Sequence, residues 1–416
     1  MTTVIMLSLR VKIISKIISP VTTVLWGEIF FRCLRRRRSK APINVNITKR
    51  ILVVRLDEIG DVVLFLPFLR ELRGNASGAW VTLVVKPTTK NLVELCPYID
   101  ELITFDGKLL SFTPSLSQYY GAFQFAKKHL WKQCFDAALL TRWDFDQSGA
   151  VVLSYFSGAT KRIGYSETVS PLKINFNNGY DCLLTETIRT SSEHELERNL
   201  DVLLALGGSV KNSELEVWLS NADKSYADQL FEQSCIGAAD KVVAYGIGAS
   251  ERRKTWPVKN FLELGQFLLK EFCSHIVVVG SDSDHSLGHY LQDELGVKVI
   301  NIAGQTTLRQ AAAVLRKCDM FIGNDSGPMH LASAVKTPVI EVSCHPQQGP
   351  TSHRYSPVRF GPRSPVAISL QPLLPVSPCI DSCEADQAHC ILGVTVSNVI
   401  EAARLLCKQV EGHRHE

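Results

Sequence analysis

The 416-residue sequence has no uninterrupted run of apolar residues as long as the roughly 18 that a membrane-spanning helix needs. The largely apolar stretch 4–31 is broken by Arg10, Lys12, Lys16 and Glu28. No small-residue cleavage site follows an unbroken apolar core, so the form of a signal peptide is missing as well. A large net charge is also lacking. The 45 Lys and Arg against 41 Asp and Glu leave +4, and much of that excess sits in CLRRRRSK, residues 33–40. The remainder is close to balance, which argues against a nucleic-acid-binding surface. Clustered cysteine is scarce. Most of the 12 cysteines lie in apolar runs such as DCLL and EFCSHIVVVG, the pattern of reduced thiols packed as small hydrophobes in a cytosolic protein. Only Cys379, Cys383 and Cys390 stand close together, and no short internal repeat is visible.

What is present is an ordinary globular composition, 45% hydrophobic and 21% charged, in a chain long enough for two domains of roughly 150–200 residues. The segment VKIISKIISPVTTVLWGEIFFRCLRRRR combines apolar faces with a basic cluster. It has the form of a helix lying in a membrane interface, with Arg35 to Arg38 drawn to anionic lipid. A loosely docked extension is the plainer reading. Residues 1–49 are therefore expected to be an N-terminal extension.

Regular patterning begins after it. ILVVRL (51–56), WVTLVV (80–85), ELITFD (101–106), FDAALL (135–140) and KRIGY (161–165) read as strands. VVLFLPFLRELR (62–73), a segment near 117–133 and SEHELERNLDVLLALG (192–207) read as helices between or after them. LEVWLSNADKSYA (215–227) reads as a connector into a new helix. A second series follows, with strands in KVVAYGIGAS, HIVVVGS, KVINIAG, DMFIGN and TPVIEVS. Its helices are expected to start near Pro257, near 285–295 and at 307–317. Alternation of strand and helix with short connections predicts parallel sheets. The expectation is two α/β domains, 50–220 and 221–390, with a ligand cleft at the carboxyl ends of their strands. Residues 346–378 are rich in Pro, Ser and Gly. VTVSNVIEAARLLCKQV (394–410) closes the chain as an amphipathic helix, within a C-terminal segment 391–416.

Three clusters carry candidate chemistry. RLDEIGD (55–61) lies where a strand gives way to a helix. Gly60 permits a close backbone approach, and Asp61 stands near the first helical position, where an acid also serves simply as a cap. Asp57, Glu58 and Asp61 crowd one strand end, and like-charge repulsion there can raise a carboxylate pKa. GASERRKTWP (248–257) offers Gly248 for close approach, Ser250 as a donor and Lys254 as a mobile cation. Together these suit a phosphate. Arg252 and Arg253 add positive field, a solvated basic loop is the plainer reading, and Trp256 reads as a packing anchor. In GNDSGPMHLASA (323–334), Asp325 ends a strand and a helix begins. Free N–H groups at Gly327, with Pro328 in the first turn, form a ready anion site. His330 could donate to a phosphate oxygen, though a lone helical histidine is more often structural.

RLDEIGDVVLFLPFLRELR, KTWP and NDSGPMHLASAVKTPVIEV, in that order, resemble the family 9 glycosyltransferases, whose best-known members are the lipopolysaccharide heptosyltransferases. The resemblance runs from about residue 50 to the C-terminus. It implies a GT-B architecture: two Rossmann-like domains, the first mainly for the acceptor and the second mainly for a nucleotide-diphosphate sugar. It also implies transfer with inversion, no required metal and no cofactor. By the same resemblance, Asp61 matches the general base and Lys254 the lysine at the donor diphosphate. Ser250 stands near the phosphates, and Asp325 matches the acid at the sugar hydroxyls. Ser326, Gly327, Met329 and His330 match the helix start that holds the diphosphate, and Asp284 falls near the acidic contact to the ribose. Asp57 and Glu58 replace the small hydroxyl residues typical of heptosyltransferases, which alters the acceptor side around Gly60. PCIDSCEADQAHCILGV resembles a cysteine-bearing tail of the family. Its C-x3-C-x6-C spacing with His389 beside Cys390 could bind a metal but departs from common zinc spacings, so the expectation is no metal, with zinc as the lesser reading.

The expectation is thus an inverting transferase at the cytoplasmic membrane face, moving a sugar from a nucleotide-diphosphate donor, ADP-heptose first, to a lipopolysaccharide-type or lipid-linked acceptor. A GT-B-type nucleotide-sugar epimerase and a non-catalytic nucleotide-sugar-binding protein remain as alternatives. The final helix is expected to pack back on the first domain.

Overall fold

The computed structural model describes residues 44–106, 116–379 and 385–413. Most of the N-terminal extension, including Arg35 to Arg38, lies outside the described residues, as does Cys383. No described helix is long and apolar enough to cross a membrane.

Branched apolar runs form two sheets, each of six parallel strands. The first contains β1 (Arg50–Arg55), β2 (Trp80–Val85), β3 (Glu101–Thr104), β4 (Ala137–Leu140), β5 (Lys161–Tyr165) and β6 (Glu186–Ile188), in the order β3-β2-β1-β4-β5-β6. After their first residue, β1 and β2 are buried continuously, because helices cover both faces of such a sheet. The second contains β7 (Val242–Gly246), β8 (His275–Val279), β9 (Val299–Asn301), β10 (Met320–Asn324), β11 (Val339–Val342) and β12 (Ala367–Leu370), in the order β12-β11-β10-β7-β8-β9. Counted from its own first strand, each sheet follows the doubly wound order 3-2-1-4-5-6. The strand order therefore reverses between β1 and β4 in one sheet and between β7 and β10 in the other. Ligands of such sheets bind outside the strand ends at that reversal.

The described chain falls into two compact units. One comprises residues up to Asp57, Pro67–Lys90 and Cys96–Ser213. The other comprises Glu58–Leu66, Asn91–Leu95 and the chain from Glu214 onward. The first unit's core is built from β1 and β4 with Ala122, Ala126, Val152 and Leu153. The second is built on Val243, Tyr245, Ile322 and Ile340 of the sheet, with Trp256, Phe261, Leu264 and Leu268 beside them.

Three local differences from the sequence reading have simple causes. The helix expected over 62–73 runs Ile59–Asn75, so it starts within DEIGD and retains Pro67 inside it. Asp61 is its third residue, in the first turn. Within the Pro-rich segment, residues 367–370 form an edge strand whose short, partly exposed AISL lacks any periodic signal. The final helix, Val396–His413, sets Val399, Ala403 and Leu406 into the core of the second unit instead of returning to the first. Its apolar stripe meets the apolar surface around Leu264 and Leu268 in that core.

Candidate donor and acceptor sites at the strand reversals

In the second unit, β10 ends at Asn324, which is fully buried. Its side chain accepts from the Trp256 N–H at 2.9 Å and donates to the Ile247 carbonyl at 2.8 Å. One amide thus ties the loop after β7 to the end of β10. The Trp256 indole adds a second anchor by donating to the Val394 carbonyl at 2.8 Å, which bears out its reading as a packing residue.

That loop delivers Lys254 to Asp325. Their charged atoms are 2.6 Å apart, with side chains 12% and 9% exposed. Burial works against the Lys254 ammonium, but the Asp325 carboxylate outweighs it and raises the lysine pKa. Lys254 also faces the Tyr355 ring at 5.5 Å. The Tyr355 hydroxyl donates to Glu251 at 2.7 Å, and Arg354 pairs with the same carboxylate at 2.6 Å. Glu251 therefore holds the loop's start, with Arg253 at 3.3 Å.

After Asp325 the chain is extended at Ser326 (φ −158°, ψ 171°) and enters the Gly327–Ala334 helix with Pro in its first turn. Ser326 donates to the Asn324 carbonyl at 3.1 Å and does not cap the helix through its side chain. His330 is buried, its Nε2 3.9 Å from Asp325. Met329 is fully buried, so its side chain belongs to the core beneath the site.

The first turn of the Ile59–Asn75 helix belongs to this second unit. A Cβ on Gly60 would stand 2.5 Å from His330 Cδ2, and one on Gly327 would stand 3.1 Å from Ile59 Cγ2. Gly60 is therefore required by contact, since even a methyl group there would meet the imidazole. This contact sets Asp61, at the third helical position, one residue from the His330 ring's neighbour. Glu58 is exposed and Ser250 is exposed. Asp284 closes a capping box with Ser281, accepting its N–H at 2.8 Å. A Cβ on Gly248 would fall 2.1 Å from the same carboxylate, so Asp284 lies directly against the loop after β7.

Behind Asp325 stands a residue the sequence reading did not single out. Glu341 of β11 is buried and accepts from Ser369 at 2.5 Å. Burial and the Asp325 charge push its pKa up to about 8, against the Ser369 hydrogen bond and Lys254. A carboxyl whose folded pKa is raised stabilises the fold fully below its unfolded value. That contribution declines as pH rises and is gone above the folded value. Wild-type stability is accordingly expected to fall between about pH 4.5 and 8 more steeply than that of Glu341→Gln. Melting temperatures of the two proteins across that range are the check, and parallel curves would refute the assignment.

The first unit places different chemistry at its own reversal. Arg55, fully buried, pairs with Asp57 at 2.8 Å and donates to Thr141 at 2.9 Å and Asn199 at 3.1 Å. Arg142, just beyond β4, approaches Asp57 at 3.5 Å. The buried Lys173 donates to the Trp143 carbonyl at 3.0 Å, and burial pushes its pKa down to about 8. This corrects the expectation of repelling acids. Burial alone would raise the Asp57 pKa, but Arg55, Arg142, Lys86 and Lys173 outweigh it and hold the carboxylate below its usual range. Asp57 is thus a tethered counter-ion in a cationic cluster and is unsuited to take up a proton at neutral pH.

The glycosyltransferase family 9 (heptosyltransferase) profile matches residues 125–361. The chain is similar to the lipopolysaccharide core heptosyltransferase OpsX of Haemophilus influenzae, 25% identical over 312 residues that cover 72% of this chain and 80% of that one. It is also similar to lipopolysaccharide heptosyltransferase 2 of Escherichia coli, 29% identical over 147 residues, 34% of this chain and 40% of that one. Among solved structures, the glycosyl transferase family 9 protein of Veillonella parvula superposes with a TM-score of 0.72 at 22% identity, covering 89% of this chain and 100% of that one. Escherichia coli ADP-heptose LPS heptosyltransferase II gives 0.62 at 20% identity, covering 87% and 99%. The fold is that of these GT-B proteins, two Rossmann-like α/β domains. The profile match spans more than half of the sequence, and on that evidence the chain belongs to glycosyltransferase family 9 and is a glycosyltransferase.

Proposed function

We propose that this enzyme transfers heptose, with inversion, from ADP-heptose to a lipopolysaccharide-type acceptor at the cytoplasmic membrane face. The observation that carries the reading is the Lys254–Asp325 pair at 2.6 Å, set beside the start of the Gly327–Ala334 helix at the strand reversal. A nearly buried, oriented cation beside the positive end of a helix stabilises a departing diphosphate. Ser250 and the loop after β7 flank the phosphates. Asp284 beside Gly248 meets the ribose, and Asp325 meets the sugar hydroxyls while holding Lys254 in place. No divalent cation is needed where Lys254 supplies the charge.

The base is Asp61. Its carboxylate takes the proton of the acceptor hydroxyl as that oxygen attacks the anomeric carbon from the face opposite the diphosphate. Gly60 and Glu58 line the same turn. The cationic cluster of Arg55, Arg142 and Lys173 around Asp57 suits an acceptor bearing phosphate or carboxylate groups. Support for heptose and lipopolysaccharide comes from the names of the relatives.

The direct test is a thermal-shift screen against ADP-, GDP-, UDP- and dTDP-sugars, followed by transfer in buffer without added Mg2+ or Mn2+. ADP-heptose is expected to give the largest shift, and the product's anomeric configuration is expected to be opposite to that of the donor. Stabilisation by a different nucleotide alone would discard the donor assignment. Retained configuration would discard Asp61 as a simple base.

A further inference from the structure

The tail brings together three side chains that the transfer reaction does not use. Ligand atoms of Cys379, His389 and Cys390 all lie within 4.8 Å of one another. Both cysteines are buried, at 7% and 6% exposure. The Cys390 Sγ to His389 Nδ1 separation is 3.5 Å. In a tetrahedral zinc site with metal–sulfur bonds of about 2.3 Å and metal–nitrogen bonds of about 2.05 Å, the sulfur–nitrogen edge comes to about 3.6 Å. The observed pair already has that spacing. Backbone N–H groups also point at both sulfurs, from Val376 to Cys390 at 3.5 Å and from Ala385 to Cys379 at 3.4 Å. Such N–H contacts are of the kind that outer-shell donors make to metal-bound sulfur.

We propose that Cys379, His389 and Cys390 form a binding site for one thiophilic divalent metal ion, zinc by preference and ferrous iron as the other ion that suits this donor set. The ion is structural. It joins the segment ending at Cys379 to the Cys390–Gly393 turn, whose successor Val394 accepts the Trp256 indole N–H at 2.8 Å. Arg253 reaches Asp386, between Cys379 and His389, at 3.7 Å. The metal therefore braces the loop that carries Lys254, at a place separate from the diphosphate chemistry. The proposal does not depend on which sugar is transferred.

The test uses the full chain purified under reducing conditions. Elemental analysis is expected to find about one zinc or iron per chain, and the element detected decides between the two. Reduced apoprotein is expected to take up one equivalent of Co2+ with the visible bands of a tetrahedral thiolate complex. Cys379→Ser, Cys390→Ser and His389→Ala are each expected to weaken uptake by more than about tenfold. Replacing the exposed Cys134, Cys182 and Cys235 by Ser is expected to leave it unchanged. If the serine variants fail to fold, His389→Ala decides, with far-ultraviolet circular dichroism confirming its fold. Metal-free wild type whose reduced form takes up no stoichiometric Co2+ would overturn the site. So would undiminished uptake in His389→Ala, or a Cys379–Cys390 disulfide in the purified protein.

Discussion

Asp61→Asn is expected to lower kcat by about 10²–10⁴-fold, the usual worth of a positioned general base, while ADP binds as tightly as to wild type. The substitution keeps the shape of the side chain and removes its negative charge and with it the ability to accept a proton. Asp61 lies in the first helical turn, where an acid also interacts with the helix dipole, worth about 0.3–1 kcal/mol. A capping role alone would therefore cost a small amount of stability and leave the rate unchanged. The two roles separate cleanly. Steady-state kinetics reads the first, and thermal unfolding reads the second. Asp228→Asn, at an exposed carboxylate paired with Lys317 at 2.6 Å, serves as the control and is expected to change kcat little. Asp61→Asn with full transfer activity would remove Asp61 from the mechanism. An Asp61→Asn protein that no longer binds ADP would show that the residue belongs to the donor site.

Lys254→Met is expected to be the most damaging single change at the donor site, because it removes two things at once. The ammonium is lost to the diphosphate, and Asp325 is left nearly buried with Glu341 behind it. Removing one partner of a buried ion pair typically costs about 3–5 kcal/mol. The pair here keeps some solvent contact, which places the expectation at the lower end. Urea unfolding measures that loss, and titration with ADP measures the loss of donor affinity. Lys254→Met/Asp325→Asn distinguishes the two effects. Taking away the stranded carboxylate is expected to recover most of the stability and none of the donor affinity. Recovery of both would mean that Lys254 is only Asp325's counter-ion. Unaltered ADP binding by Lys254→Met would remove it from the diphosphate site.

The strands with long branched runs were legible, as at ILVVRL and WVTLVV, because residues buried on both faces are hydrophobic without interruption. The Ala150–Phe156 helix was not, since AVVLSYF is buried throughout and an all-apolar segment shows no helical period. Edge strands β6 and β12 were missed because three or four partly exposed residues carry too little pattern. Asp325 and the Gly327 turn directly follow a readable strand and Lys254 lies in the loop after another, so sequence could group them, while their roles rest on the family resemblance. Arg55, Arg142 and Lys173 could not be grouped, since only the pairing of β1 with β4 and the following chain gathers them around Asp57. That is also why the crowding of Asp57, Glu58 and Asp61 pointed the wrong way for Asp57: Arg55 stood two residues away, but Arg142, Lys86 and Lys173 come from distant sequence. Glu341 was hidden in TPVIEVS, where a single acid in a strand reads as a solvent-facing position. The cysteine cluster of the tail was visible in sequence, but its spacing fits no common zinc motif, and only folding sets Cys379 and His389 beside Cys390.

Asn324 has a consequence for what donor binding costs. Because one buried amide fastens both Ile247 and Trp256, and Asp325 holds Lys254, the elements proposed to bind phosphate are tied to one another by the protein itself. The ordering cost of about 0.5–1.5 kcal/mol for each side chain immobilised on binding is largely absent at this site. On the proposed reading, the loop after β7 then has little left to order when a diphosphate binds.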